Sequence, residues 1–157
     1  MKMRSQGMEV DVPQGWDGEI YQRGGGFRPQ GAGGPAEMSS PVMHLGNFPL
    51  PAERGDYGSG AVEVMKADNI LIVLFEFDRA SVGTALFAES GIPSVTPEDF
   101  APDQMQRPLP GQSGAQHFFN HRGRAFCLYV ALGSHARRRE LVPEVNQVLS
   151  SLELDQL

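Results

Sequence analysis

The stretch NILIVLFEF, residues 69–77, is the most continuously apolar and β-branched segment of the chain. Side chains alternate between the two faces of a strand, and here both faces are apolar: Ile70, Ile72 and Leu74 on one side, and Leu71, Val73, Phe75 and Phe77 on the other. A half-exposed strand has polar residues at every second position, so this pattern predicts a strand covered on both sides. The segment is too short to cross a membrane, which takes about 20 apolar residues.

A second strand of the same kind follows later in the chain. The segment RAFCLYVAL, residues 124–132, comes after AQHFFN and a turn at His121, Arg122 and Gly123, which predicts a β-hairpin over residues 115–132. Its side chains form a bulky face and a smaller face: Phe126, Leu128, Val130 and Leu132 against Ala125, Cys127, Tyr129 and Ala131. A C-terminal helix from about Pro143 is predicted to cover the smaller face.

The remaining predicted elements are short. They are strands at residues 7–12, 19–23, 42–48 and 152–154, a helix at 60–66 capped by Ser59, and a helical turn after Thr96. The second strand is predicted to pair antiparallel with the first. Residues 24–41, GGGFRPQGAGGPAEMSSP, have the composition of a flexible insertion. Together these patterns predict a single α+β domain over residues 1–157, with a mainly antiparallel sheet of six to seven strands, short helices and a C-terminal helix.

Composition limits the classes of function. The net charge of −6 disfavours nucleic acid as a partner, because proteins that neutralise phosphates carry a basic excess. Of 13 basic residues only Lys2 and Lys66 are lysine, which indicates a GC-rich bacterial genome. The single cysteine, Cys127, lies in an apolar strand and is interpreted as a packing residue. The sequence shows no apolar signal segment, so the expected location is the cytoplasm. If an N-terminal signal has been removed, the protein is expected to be exported or lipid-anchored.

Catalytic motifs are weak. The four histidines are the only imidazole bases or ligands: His44, His117, His121 and His135. We consider His44 or His117, with a loop acid such as Asp78 or Glu98, as candidates for acid–base catalysis. The chain has no H-E-x-x-H, paired cysteines, phosphate loop or G-x-S-x-G, so the sequence predicts neither a metal nor a cofactor.

One concentration of positive charge stands out. Arg137, Arg138 and Arg139 follow closely after His135 on an otherwise acidic chain. Such a cluster can bind a phosphate, a carboxylate or an acidic protein surface, and a solvated face is the alternative interpretation. We therefore treat these four residues as a candidate ligand-binding site.

Two segments resemble a known group of proteins. VPQGW, residues 12–16, and VNQVLSSLEL, residues 145–154, resemble the opening and closing segments of PsbP/Mog1-type α/β sandwiches. The resemblance implies a non-enzymatic fold used for binding and assembly, with an antiparallel sheet flanked by helices. The group includes small exported lipoproteins, and this chain lacks their lipid-attachment cysteine. The group has no shared site motif, so the resemblance assigns no binding residues.

The sequence is compatible with three hypotheses for function. The first is a non-enzymatic interaction or assembly domain that binds a protein partner or a small acidic ligand through its long loops. The second is a small hydrolase or isomerase that uses a His/carboxylate pair. The third is a structural subunit of a homo-oligomer, suggested by the proline-rich segments 48–51 and 107–110.

Overall fold

A computed structural model describes residues 1–23 and 40–156 of the chain. In these residues eight strands form, at Lys2–Ser5 (β1), Met8–Asp11 (β2), Asp17–Gln22 (β3), Pro41–Gly46 (β4), Ile70–Phe77 (β5), Ser113–His121 (β6), Arg124–Leu132 (β7) and Glu153–Leu154 (β8). One α-helix, Arg138–Leu149 (α1), lies between β7 and β8, and five short 3₁₀ turns lie in the connections. The predicted α+β class and antiparallel pairing are confirmed, with eight strands in place of six to seven.

The strands form two antiparallel sheets. The smaller sheet has the order β1-β2-β8, and the larger has the order β3-β4-β5-β7-β6. Strand β5 therefore lies at the centre of the larger sheet, as its two apolar faces predict. Ile72 of β5 stands opposite Leu45 of β4 and Val130 of β7, and it is 1% exposed.

The first core lies between the larger sheet and a layer formed by α1 and the smaller sheet. Five side chains of α1 meet the bulky face of β7: Leu141, Val142, Val145, Val148 and Leu149 pack with Phe126, Leu128, Val130 and Leu132. The prediction that the last helix covers the smaller face of β7 is therefore wrong. Packed layers stand about 10 Å apart, and large side chains are needed to fill that distance.

Loops cover the smaller face of β7. Cys127, Tyr129 and Ala131 lie in a second core with residues from 48–65 and with Met105. Large side chains from the loops, among them Phe48 and Met105, fill the space next to Cys127 and Ala131.

The proline-rich segments contribute to this second core. Phe48 is buried in it, and Leu50 and Leu109 pack against it. Apolar side chains of both segments therefore pack within the chain, and the homo-oligomer hypothesis stays a prediction.

The N-terminal strands differ from the prediction. Strand β1 was not predicted, because Lys2 and Arg4 make it resemble a polar terminus. It pairs with β2 through a turn at Gln6 and Gly7, whose φ angles are +57° and +74°. The predicted pairing of the strands at 7–12 and 19–23 is wrong, since β3 pairs with β4 in the other sheet.

The helical segments also differ in detail. Helix α1 begins five residues before Pro143, because both Glu140 and Leu141 donate their N–H to the carbonyl of Arg137 and start the helix there. Ser59 caps no helix, and the segment after it forms only a 3₁₀ turn at Val62–Val64. The turn predicted after Thr96 is confirmed at Pro97–Asp99, with a capping box.

The predicted insertion, residues 24–41, lies outside the described residues except for its last two. Ser40 accepts a hydrogen bond from the N–H of Arg23 at 2.8 Å, and Pro41 stands opposite Gln22 at the start of β4. Pro41 is therefore the first residue of β4, and the insertion itself stays a prediction.

Candidate functional site

His44 lies in a hydrogen-bonded network beneath the loop after β4. Nδ1 of His44 accepts a hydrogen bond from Nε of Arg54 at 2.9 Å, because that guanidinium nitrogen can only donate. Nε2 therefore carries the ring hydrogen and donates it to the carbonyl of Asp56 at 2.8 Å. The histidine is 0% exposed, and burial lowers its pKa, so the ring is neutral.

The partners of His44 are themselves engaged. Arg54 also forms an ion pair with Glu19 and donates to the carbonyl of Pro51. The hydroxyl of Tyr21 donates to the carboxylate of Asp56 at 2.8 Å. Burial raises the pKa of Tyr21, and this keeps its hydroxyl protonated. Both ring nitrogens of His44 hold the loop against the sheet, so the structure gives this residue a structural role.

The candidate anion site divides into separate contacts. Arg137 pairs with Glu140 at 2.9 Å, and Arg138 donates to the carbonyl of His135 at 2.9 Å. Arg139 lies 3.8 Å from Glu98, and both side chains are about 70% exposed. The three arginines are consecutive at the start of α1, where successive side chains point about 100° apart. Each of the three guanidinium groups has a different partner, and ligand binding by this cluster stays a prediction.

The loop acids of the catalytic hypothesis lie apart from the histidines. Asp78 is exposed and begins the 3₁₀ turn Arg79–Ser81, where its carbonyl accepts the N–H of Ser81. In the part of the chain that the structure describes, no ion pair joins Asp78 or Glu98 to a histidine. A different acid, Asp99, approaches His117.

The outer edge of β6 carries the best candidate site. Residues 87–101, which we call the strap, run along this edge and pair with it at both ends. Gly114 exchanges two main-chain hydrogen bonds with Ala101, each of 3.0 Å. Asn120 donates its N–H to the carbonyl of Glu89 at 2.7 Å and accepts the N–H of Gly91 at 2.8 Å.

Between these two pairs, two residues of β6 have outward main-chain N–H and C=O groups without a partner among the described residues. In an antiparallel edge strand, alternate residues turn N–H and C=O away from the neighbouring strand. Gly114 and Asn120 do so, and Gln116 and Phe118 share their parity. No described residue hydrogen-bonds to the N–H or C=O of Gln116 or Phe118 outside β6 and β7.

The open main chain faces a groove of about 520 Å³. Its walls combine the strap, residues just before it and β6, and the lining is Leu86, Glu89, Ser90, Gly91, Ile92, Pro93, Ser94, Gln116, His117, Phe118 and Phe119. Leu86 is 57% exposed, an unusual fraction for a large apolar side chain in this protein. The ring of Phe118 packs against Phe87 at 5.7 Å and is only partly buried.

Asparagine side chains fasten the strap. The amide of Asn120 donates to the carbonyls of Phe87 and Glu89, and its oxygen accepts from the hydroxyl of Ser90. The amide of Asn146 in α1 exchanges two hydrogen bonds of 2.8 Å with the main chain of Val95. Because both ends of the wall are held, the groove exists before any ligand binds.

His117 lies in the groove next to the end of the strap. Its Nε2 is buried without a hydrogen bond and lies 3.4 Å from Oδ2 of Asp99. The same oxygen accepts the N–H of Thr96 at 2.8 Å, which fixes the carboxylate in place. This histidine and carboxylate can form an ion pair once the imidazole is protonated.

Sequence reasoning selected His117 but missed Asp99 as its partner and missed the groove. The capping box that orients Asp99 was visible in the motif Thr-Pro-Glu-Asp at residues 96–99. Its position opposite β6 depends on the bridge between Ala101 and Gly114, which no local pattern indicates.

Comparison with known proteins places no relative beside this chain. No family model matches it, and neither the curated sequences nor the solved structures with which it was compared gave a match. The resemblance to PsbP/Mog1-type sandwiches therefore stays a prediction.

Two further findings concern the described residues only. None of their helices is long and apolar enough to cross a membrane. No group of three or more His, Cys, Asp or Glu side chains in residues 1–23 and 40–156 is placed to hold a metal ion.

Proposed function

We propose that the protein is a non-enzymatic interaction domain and that the groove between β6 and the strap is its binding site for a protein partner. The observation that carries the proposal is the pair of unsatisfied main-chain positions, Gln116 and Phe118, facing a groove with held walls. Exposed peptide groups on a sheet edge are a common means of binding another polypeptide. Leu86 and Phe118 add apolar surface beside these groups.

The protein offers a matched pair of variants to test this site. Leu86 in the groove is 57% exposed, and Val64, which does not line the groove, is 55% exposed. Random peptides displayed on phage are selected for binding to the full chain, and the affinity of each selected peptide is then measured by titration. Leu86→Glu should weaken binding about tenfold or more, since it replaces an apolar contact by a charge. Val64→Glu should leave the affinity unchanged.

The comparison can also refute the proposal. Peptides that bind Leu86→Glu and wild type equally well would show that the groove is not the binding site. A library that yields no binder to the full chain would count equally against an interaction domain of this kind.

A second candidate function has one observation in its favour. His117 and Asp99 lie 3.4 Å apart next to the groove, and a small hydrolase or isomerase can use such a His/carboxylate pair with histidine as the general base. Hydrolysis of p-nitrophenyl acetate is a simple assay. General-base catalysis predicts a loss of about a hundredfold or more in His117→Asn and no loss in His135→Asn. Equal rates for the two variants would exclude His117 as the base.

A further inference from the structure

We propose that the groove binds its partner as a short extended peptide that adds to β6 through the main chain of Gln116 and Phe118, with a basic residue next to Glu89. This inference rests on the function proposed above, since it names the form and chemistry of the partner at the same site.

The main chain of β6 determines the form of the partner. Gln116 and Phe118 offer two N–H donors and two C=O acceptors on one edge, at alternate residues about 6.8 Å apart. An extended polypeptide repeats its own donors and acceptors at the same spacing and can satisfy all four groups. The strand already pairs in this way at each end of the gap, antiparallel at Ala101 and parallel at Ser90.

The strap determines the length of the peptide. Between the two paired positions, Gly114 and Asn120, β6 advances about 20 Å. The chain of the strap occupies both ends of this interval, so a bound strand has space for about four residues in pairing geometry. Its ends must leave towards solvent on the open side of the groove.

The groove walls determine the side chains. Side chains of a paired strand alternate between the two faces of the sheet. On one face they meet Leu86 and Phe118, and on the other Ile92 and Phe119, so apolar residues fit both sides of the bound segment. Glu89 is exposed, and among the described residues that line the groove it is the one carboxylate. Charge complementarity therefore favours a lysine or arginine in the peptide and disfavours an acidic segment.

Hydrogen exchange of the free protein is the first test. Main-chain amides of Gln116 and Phe118 should exchange much faster than those of His117 and Phe119, which face β7 in the hydrogen-bonded pairs. NMR resolves the individual amides. Slow exchange of all four amides in the monomer would show that the edge is closed, and the proposal would be wrong.

Binding is then tested with a defined probe, the blocked pentapeptide acetyl-KVTVK-amide, and with two copies of it. One copy carries N-methyl groups on both valines and the other on the threonine. Pairing with an edge strand uses alternate residues of the peptide, so one methylated copy should bind at least fivefold more weakly while the other binds like the parent. An acidic copy, acetyl-EVTVE-amide, should also bind more weakly than the parent.

A variant pair tests the same hydrogen bonds from the protein side. Gln116→Pro removes an outward N–H, a change that edge strands tolerate, and should weaken binding about fivefold or more. Gln116→Ala also removes the side chain but keeps the N–H, so Gln116→Pro should bind at least about fivefold more weakly than Gln116→Ala, which separates the main chain from the side chain.

The outcomes distinguish the two proposals. If Leu86→Glu abolishes binding while both methylated copies and Gln116→Pro bind normally, the groove is the site but strand addition is wrong. If the amides of Gln116 and Phe118 become protected as the concentration of free protein rises, a second copy occupies the edge and the peptide proposal is wrong. Fast exchange, loss of binding in one methylated copy and loss in Gln116→Pro together support strand addition.

Discussion

Replacing Arg124 by methionine should destabilise the protein more than any other change of a charged residue that we predict. The Arg124 side chain is 1% exposed and reaches from β7 into the space between the two sheets. Its Nε and one Nη2 hydrogen form a two-pronged contact with the carboxylate of Glu76, at 2.9 and 2.7 Å. The remaining hydrogens bind the carbonyls of Gln6, Gly7 and Asp155 at distances of 2.9 to 3.1 Å.

These contacts use all five N–H groups of the guanidinium. They connect the central sheet to the β1–β2 turn and to the C-terminal strand, three segments that are distant in sequence. The side chain of Glu76 is 12% exposed, so without Arg124 its charge has little access to water. Removing one partner of a buried pair costs about 3–5 kcal/mol, chiefly because the other charge stays buried. We expect Arg124→Met to lower the free energy of unfolding by that amount.

Urea denaturation measures this loss. The chain has a single tryptophan, Trp16, which packs against the first core and reports on its unfolding by fluorescence. The double variant Arg124→Met/Glu76→Leu contains no buried charge at this position. Its destabilisation should therefore fall at least about 2 kcal/mol short of the sum of the two single variants.

Exposed Arg137 provides the control, since it pairs with Glu140 on the surface of α1. Arg137→Met should unfold at the same urea concentration as wild type. A loss below about 1 kcal/mol in Arg124→Met, or strict additivity in the double variant, would refute the argument that burial of the pair makes each partner dependent on the other.

Three further predictions concern two buried side chains and one closely packed glycine. Burial lowers the pKa of His44, so the unfolded chain takes up a proton at a higher pH than the folded chain does. The free energy of unfolding should therefore fall as the pH drops below about 6.5. Urea titrations at several pH values should show a smaller fall in His44→Gln. Burial raises the pKa of the Cys127 thiol to about 12, so Ellman's reagent at pH 8 should label the native protein only as fast as it unfolds, and rapid labelling would contradict this. A Cβ at Gly133 would lie 1.7 Å from the carbonyl oxygen of Lys66. Gly133→Ala should therefore lower the midpoint of thermal unfolding by several degrees or more. Gly83 has open space around it, so Gly83→Ala should leave the midpoint nearly unchanged.

The central strands were predictable because their pattern depends on burial alone. Residues 70–77 and 124–132 are apolar on both faces, and any fold of this chain has to cover both faces. Which layer covers which face was not predictable in the same way. The helix and the loops both supply apolar side chains, so no local pattern assigns the bulky face to α1.

Strand pairing across the chain explains the other differences. The strand at residues 8–11 presents the same polar face whether its partner is β1 or β3. The turn at Gln6 and Gly7 selects β1 as the partner, because it folds the two neighbouring strands against each other. The groove depends on two bridges, Ser90 to Asn120 and Ala101 to Gly114, that join segments without any periodic pattern. His117 and Asp99 meet only because of these bridges, so a sequence reading selects the histidine and misses its partner.

The strap has a consequence for how the edge of β6 can be used. A long open edge strand pairs readily with the edge of a second copy, and proteins restrict such edges to avoid aggregation. Here the bridges at Gly114 and Asn120 occupy both ends of β6, and between them only Gln116 and Phe118 turn their main chain outward without a partner among the described residues. An intact sheet edge, which is straight over several residues, would collide with the strap at both ends, whereas a short peptide can enter the groove from its open side. Under the proposal of strand addition, the contacts that restrict pairing with other copies of the chain would therefore also limit the ligand to a short, extended segment.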